Sequence, residues 1–206
     1  VLQLNHGKLV DELRTELGFL HLATGDLDRA EQQLIEIDSS RARFGLAKVY
    51  LESGRYEQGL HLLESLIPHD QTGKVYAFYQ EQTFKTADTL YEQCKTAQAL
   101  ELYERVLARG DERYQDLAGY RRAEHYYREK KYPAALRYIE EVLANSVNLK
   151  DEQATLMKGY LLYDQRKYVQ ALGTFNRFIA RYPSSDRLAT AREWKYMCER
   201  GIRYYG

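Results

Sequence analysis

The chain has 206 residues, 30 Lys/Arg against 30 Asp/Glu for a net charge of zero, and 44% hydrophobic residues. That apolar content is enough for a core and excludes a disordered chain, while only three prolines among recurrent Leu, Ala, Glu, Lys, Arg and Gln point to an all-helical fold. No run of about 18 apolar residues occurs, so no segment reads as a membrane span.

One pattern returns five times along the chain: an aromatic or Leu, then Ala or Gly three residues on, then apolar residues four and seven further. These steps lay the side chains along one face of a helix. Residues 11–39 hold the first copy, with Leu27, Ala30, Leu34 and Ile37 after a Gly25-Asp26 turn. Residues 40–69 hold the second, with Tyr56, Gly59, Leu63 and Leu66 after Gly54-Arg55. Pro68, His69, Asp70 and Gly73 then form a turn cluster before the apolar-aromatic stretch from Val75 to Phe84, which predicts an extended loop and a lengthened helix. The third copy, 74–110, is weaker, with Ala99, Tyr103 and Val106 after Cys94-Lys95. The fourth, 114–147, reads Tyr132, Ala135, Ile139 and Val142 after Lys130-Lys131. The fifth, 151–183, reads Tyr168, Ala171, Phe175 and Phe178 after Arg166-Lys167. The small residue recurs at steps of 29, 40, 36 and 36. A last helix, about 186–203, starts from the cap candidates Ser184-Ser185-Asp186 and carries the stripe Leu188, Ala191, Trp194 and Cys198. It caps the stack, because the fifth hairpin would otherwise expose the face that each earlier hairpin buries.

The pattern resembles the tetratricopeptide repeat over nearly the whole chain. Leu17-Gly18, Gly25-Asp26 and Ala30 match in the first copy, Leu46-Ala47, Tyr50, Gly54, Tyr56 and Leu63 in the second, and Gly159, Tyr168, Ala171, Phe175 and Pro183 in the fifth. The departures are Cys94, Lys130 and Arg166 in place of the turn glycine, and no copy has the family's opening Trp. The resemblance implies an all-α fold: a right-handed α-solenoid of about five helical hairpins plus a C-terminal capping helix, in a single superhelical domain over residues 1–206. Lys167-Tyr168, Ala171, Phe175, Phe178-Ile179, Arg181-Tyr182-Pro183 and Ser185 also resemble bacterial envelope repeat proteins of the outer-membrane-assembly and Tol-Pal-associated kinds. That narrower likeness points toward the periplasm, with the cytoplasm as the alternative. The start at Val1 rather than Met suggests a processed protein or an excised fragment, which leaves the compartment open.

The resemblance also implies a non-catalytic scaffold whose first helices line a groove for a protein or peptide partner. In that register Phe44 and Lys48 face inward from the second repeat, and Phe84, Lys85 and Tyr91 from the third. Tyr120, Arg121, Tyr127 and Arg128 do so from the fourth, and Tyr160 and Tyr163 from the fifth. Aromatic rings edged by Lys and Arg suit a peptide with apolar anchors and acidic residues. The competing reading packs such rings between helices, the expected place for Tyr50, Tyr56, Tyr126, Tyr132 and Tyr168. The subtype that grips chaperone tails needs Asn and Lys or Arg at inward sites of the first repeat, where this chain has Glu12, Thr15, Glu16 and Phe19.

No cofactor, metal site or catalysis is expected. The histidines His6, His21, His61, His69 and His125 form no metal-type pair, and no nucleophile-elbow or phosphate-loop motif occurs. Cys94 and Cys198 are isolated; each is expected as a small buried apolar residue, with a long-range disulfide as the alternative. The Arg121-Arg122 and Lys130-Lys131 pairs are interleaved with Glu124, Glu129, Glu140 and Glu141, which breaks any phosphate-binding track. Residues 1–103 carry net −6 and residues 104–206 net +6, so self-assembly through opposite charge is the alternative function, and salt should dissolve such an assembly.

Overall fold

The computed structural model describes residues 2–205, with side chains from His6 onward. The described residues form eleven α-helices and no strand, in two compact units, Val1–Thr89 and Leu90–Gly206.

The first unit holds α1 (Leu2–Ala23), α2 (Leu27–Leu34), α3 (Ser40–Glu52), α4 (Tyr56–Leu66) and most of α5 (Lys74–Glu92). α1 packs on α2 and α3, and α3 on α4, around buried Ala30, Leu34, Ile37, Ala42, Leu46 and Val49. Gly18 lets the first hairpin close, since a Cβ there would stand 2.6 Å from Leu34. α1 begins at Leu2, well before the expected start of the first repeat at residue 11. The proline-glycine cluster is a short 3-10 turn, Ile67–His69, followed by a loop that Asp70 holds. The Asp70 carboxylate accepts from the amide and hydroxyl of Thr72 at 2.9 and 2.6 Å and from the amide of Val75 at 2.6 Å, bonds that hold its pKa below the usual range. The expected extended loop and long helix are both there, α5 running 19 residues.

The second unit holds the end of α5, then α6 (Thr96–Arg109), α7 (Glu112–Arg128), α8 (Tyr132–Ala144), α9 (Asp151–Asp164), α10 (Tyr168–Arg181) and α11 (Leu188–Tyr205). Its core is the repeat pattern made solid: Ala99, Tyr103, Val106, Ala135, Ile139, Val142, Ala171, Phe175 and Phe178 are all buried. A Cβ on Gly159 would meet the Phe175 ring at 2.5 Å, so only glycine admits that ring. Ser185 starts α11, accepting from the amide of Arg187 at 3.0 Å, and Ala191 and Cys198 are fully buried against α9 and α10.

The five turns inside the hairpins share one geometry. Gly25, Gly54, Cys94, Lys130 and Arg166 have φ of 76°, 78°, 61°, 56° and 60°. Each donates its amide to the carbonyl three residues back, and the next residue donates five back, at 2.8–3.1 Å. This double closure satisfies the last carbonyls of the preceding helix and requires the left-handed conformation. The position keeps its backbone role where glycine is absent. Cys94 is therefore exposed on a turn rather than buried as expected, while Cys198 is buried and its thiol is pushed up to about 11 by desolvation; both are free.

One feature of the second unit has no counterpart in the repeat pattern. Asp116 of α7 is fully buried and accepts from Asn145 Nδ2 at 3.0 Å and from the amide of Lys150 at 2.8 Å, tying the α8–α9 connection to α7. Burial pushes its carboxyl above the ordinary aspartate range, against those two bonds. Asp151 beside it is buried and paired with Arg181 at 3.1 Å.

Candidate partner-binding surfaces

In the first unit, α1, α3 and α5 leave a cavity of about 410 Å³ between Phe19, Leu22, Ala23, Lys48, Leu51, Glu52, Phe78 and Gln82. Lys48 lies one turn after Phe44 on α3, and its ammonium stands 5.2 Å from the Phe44 ring and 5.3 Å from the Phe78 ring. The two rings meet at 5.2 Å with a tilt of 57°. Among the described residues Lys48 has no ion-pair partner, so its charge is held by ring faces and directed at the cavity.

Phe44 and Lys48 are thus brought together, and the partner that the sequence reading missed is Phe78. At 3.6 residues per turn Phe78, Gln82 and Lys85 fall on one face of α5, and Phe84 lies about a third of a turn away. The same spacing in the sequence could have selected Phe78. Lys85 is exposed and bonded to Glu81 at 2.6 Å; Phe84 is half-buried.

In the second unit the expected residues form several small clusters. Tyr91 shares a hydrogen bond of 3.3 Å with Nδ1 of His125, and the Arg128 guanidinium lies 6.0 Å over its ring. Burial holds His125 below the ordinary imidazole range, and Lys131, Arg122 and Arg128 act in the same direction. Lys150 lies 5.5 Å over Tyr120, whose phenol is pushed up to about 12 by burial and then by Glu124. Arg121 is exposed and pairs with Glu124 at 3.1 Å. The Tyr127 hydroxyl donates to Asp164 at 2.9 Å, and burial together with that bond raises its pKa.

Tyr160 and Tyr163 pack against Trp194 of α11 at 4.8 and 5.1 Å, with Phe175 5.8 Å from Tyr160 and Tyr168 5.1 Å from Tyr163. Both are half-buried, and burial raises both phenol pKa values. They seat the last helix as well as edging the surface, a double duty set by Trp194, which lies outside the repeats.

Among the described residues no group of three or more His, Cys, Asp or Glu side chains is placed to hold a metal ion, and no helix is long and apolar enough to cross a membrane. A family model for the tetratricopeptide repeat matches residues 84–146 and again residues 120–186, together half of the chain.

The chain belongs to the tetratricopeptide repeat family.

No curated protein matches it in sequence. Its fold is similar to several solved structures. The C-terminal part of a TPR repeat-containing protein from Cytophaga hutchinsonii superposes with a TM-score of 0.55 at 13% identity, covering 92% of this chain and 71% of that one. MamA protein gives 0.53 at 16% identity over 84% of this chain and 92% of its own. The apo form of the quorum sensor NprR from B. thuringiensis gives 0.51 at 12% identity over 93% of this chain and 58% of its own. At such identities the likeness is one of fold. The tetratricopeptide fold suggests a scaffold for protein–protein interaction.

Proposed function

We propose that the chain is a non-catalytic scaffold that captures a peptide or protein partner on the inner faces of its first helices. The observation that carries this reading is the cavity beside Lys48: an aromatic-walled pocket whose one cation forms no ion pair among the described residues, with Glu52 also in the lining. An apolar side chain would fill the pocket while an adjacent carboxylate meets Lys48, burying ring surface and pairing charge in one step. Tyr91 with Arg128, and Tyr120 with Lys150, offer the same ring-and-cation chemistry in the second unit. The phrasing of the fifth repeat supports a place in a bacterial cell-envelope complex.

Selection from a random peptide library displayed on phage tests the proposal. Retained peptides should share a bulky apolar residue next to Asp or Glu, and Lys48→Glu should abolish that enrichment. Peptides retained without any acidic residue would contradict it.

A further inference from the structure

Helix α1 is apolar on two sides. Its core side carries Thr15, Gly18, Phe19 and Leu22, and its opposite side carries Leu9, Val10, Leu13, Leu17 and Leu20, exposed by 53%, 39%, 62%, 40% and 59%. Val10, Leu13, Leu17 and Leu20 follow the 3-4-3 spacing of a helix-pairing seam, about 15 Å long at 1.5 Å per residue. Along one edge of this seam run Glu12 and Glu16, a turn apart and both exposed, Glu16 being paired with Arg41 at 2.6 Å.

Helix α11 carries a face of matching kind and opposite charge. Opposite its buried Ala191 and Cys198 stands Tyr196, exposed by 58%, with Met197 and Tyr204 on its flank, exposed by 38% and 67%. Arg192, Arg200 and Arg203 surround them on that same side, against Glu193 and a Glu199 that stands 4.0 Å from the Lys195 ammonium. The charge of the two units follows the same division: the unit holding α1 has net charge −5, with 9 Lys/Arg against 14 Asp/Glu, and the unit holding α11 has +5, with 21 against 16.

We infer that the outward face of α1 receives the outward face of α11 from a second copy of this chain, a heterologous contact in which the leucine seam takes the tyrosines and the arginines meet Glu12 and the outer oxygen of the Arg41-paired Glu16. Opposite net charge steers this pairing over α1 with α1 or α11 with α11, both of which bring like charge together. The contact is separate from the cavity beside Lys48, so peptide capture and self-association are independent properties.

The test is complementation measured by light scattering and analytical ultracentrifugation. One variant carries Leu13→Glu and Leu20→Glu, the other Tyr196→Glu and Tyr204→Glu. All four side chains are exposed, so circular dichroism and melting temperature should match the wild type. Wild-type mass should grow with concentration from the micromolar to the millimolar range, and each variant alone should stay monomeric. An equimolar mixture should form a one-to-one dimer, because each variant retains the face that the other has lost. Three results would each overturn the inference: a wild type monomeric throughout, self-association of the tyrosine variant, or a mixture that forms no complex. Should the glutamates unfold either variant, serine at the same four positions carries the same test.

Discussion

Cys94, Lys130 and Arg166 show how a side chain can break a family's pattern while its backbone obeys it. Their φ values match those of Gly25 and Gly54, and a left-handed conformation costs a residue with a Cβ roughly 1–2 kcal/mol. Part of that is recovered because glycine leaves the unfolded chain freer. Replacing any one of the three by Gly should therefore stabilise the chain by about 1 kcal/mol in denaturant unfolding. No gain at any of the three would contradict the turn geometry. The sequence located these positions through the repeat register, so the turn was legible where its glycine was missing. Asp116 was not: a carboxyl on the buried face of α7 breaks the apolar pattern without announcing its partners, Asn145 and Lys150, which lie a whole helix away. Because burial raises its folded pKa above the unfolded one, the stability it contributes is complete below the unfolded pKa and is lost as pH rises through the folded one. The stability of the wild type relative to Asp116→Asn should accordingly fall as pH is raised from the unfolded aspartate range toward neutrality. Glu31 acts in the opposite sense, since its bonds to Arg55 at 2.8 and 2.5 Å lower its pKa and that contribution is lost as pH falls. A wild-type-minus-variant difference independent of pH would remove Asp116 from this account.

At the scale of the helix, the second member of each hairpin was readable because its small and bulky residues repeat at fixed steps, and all five are present. Their starts are uneven in quality. Asp26 accepts from the amide of Arg29 at 3.2 Å and caps α2, whereas Arg55, Lys95, Lys131 and Lys167 occupy the same position without any side-chain cap. A cation there also opposes the helix dipole. Lys95→Asp, Lys131→Asp and Lys167→Asp should each add about 1 kcal/mol, raising the melting temperature by about 2–4 °C. Unchanged melting would show that the second turn residue is not a working cap. The first helices were harder to bound, because they are apolar on more than one side. α1 extends back to Leu2 with its outward leucines, and α7 starts at Glu112 because Asp111 accepts from the amide of Tyr114 at 3.1 Å. A periodicity built for a one-sided helix gives no sharp edge in such segments.

Across the whole molecule, each unit pairs a family core with surfaces that the family pattern leaves free to vary. Of the residues expected to face a partner, Phe44 and Lys48 form one site with Phe78, while Tyr160 and Tyr163 are shared with Trp194 and the capping helix. The register could say which side of a helix a ring occupies, but not which ring from a neighbouring element would meet it. Binding should therefore depend most on the cavity beside Lys48, where changes leave the core in place. Isothermal titration of a peptide from the phage selection against wild type and Lys48→Glu tests this most directly. Lys48→Glu should lose at least tenfold in affinity, about 1.4 kcal/mol, with an unchanged melting temperature, and wild-type binding should weaken at high salt. Equal affinity for the two proteins would contradict that dependence on the cavity.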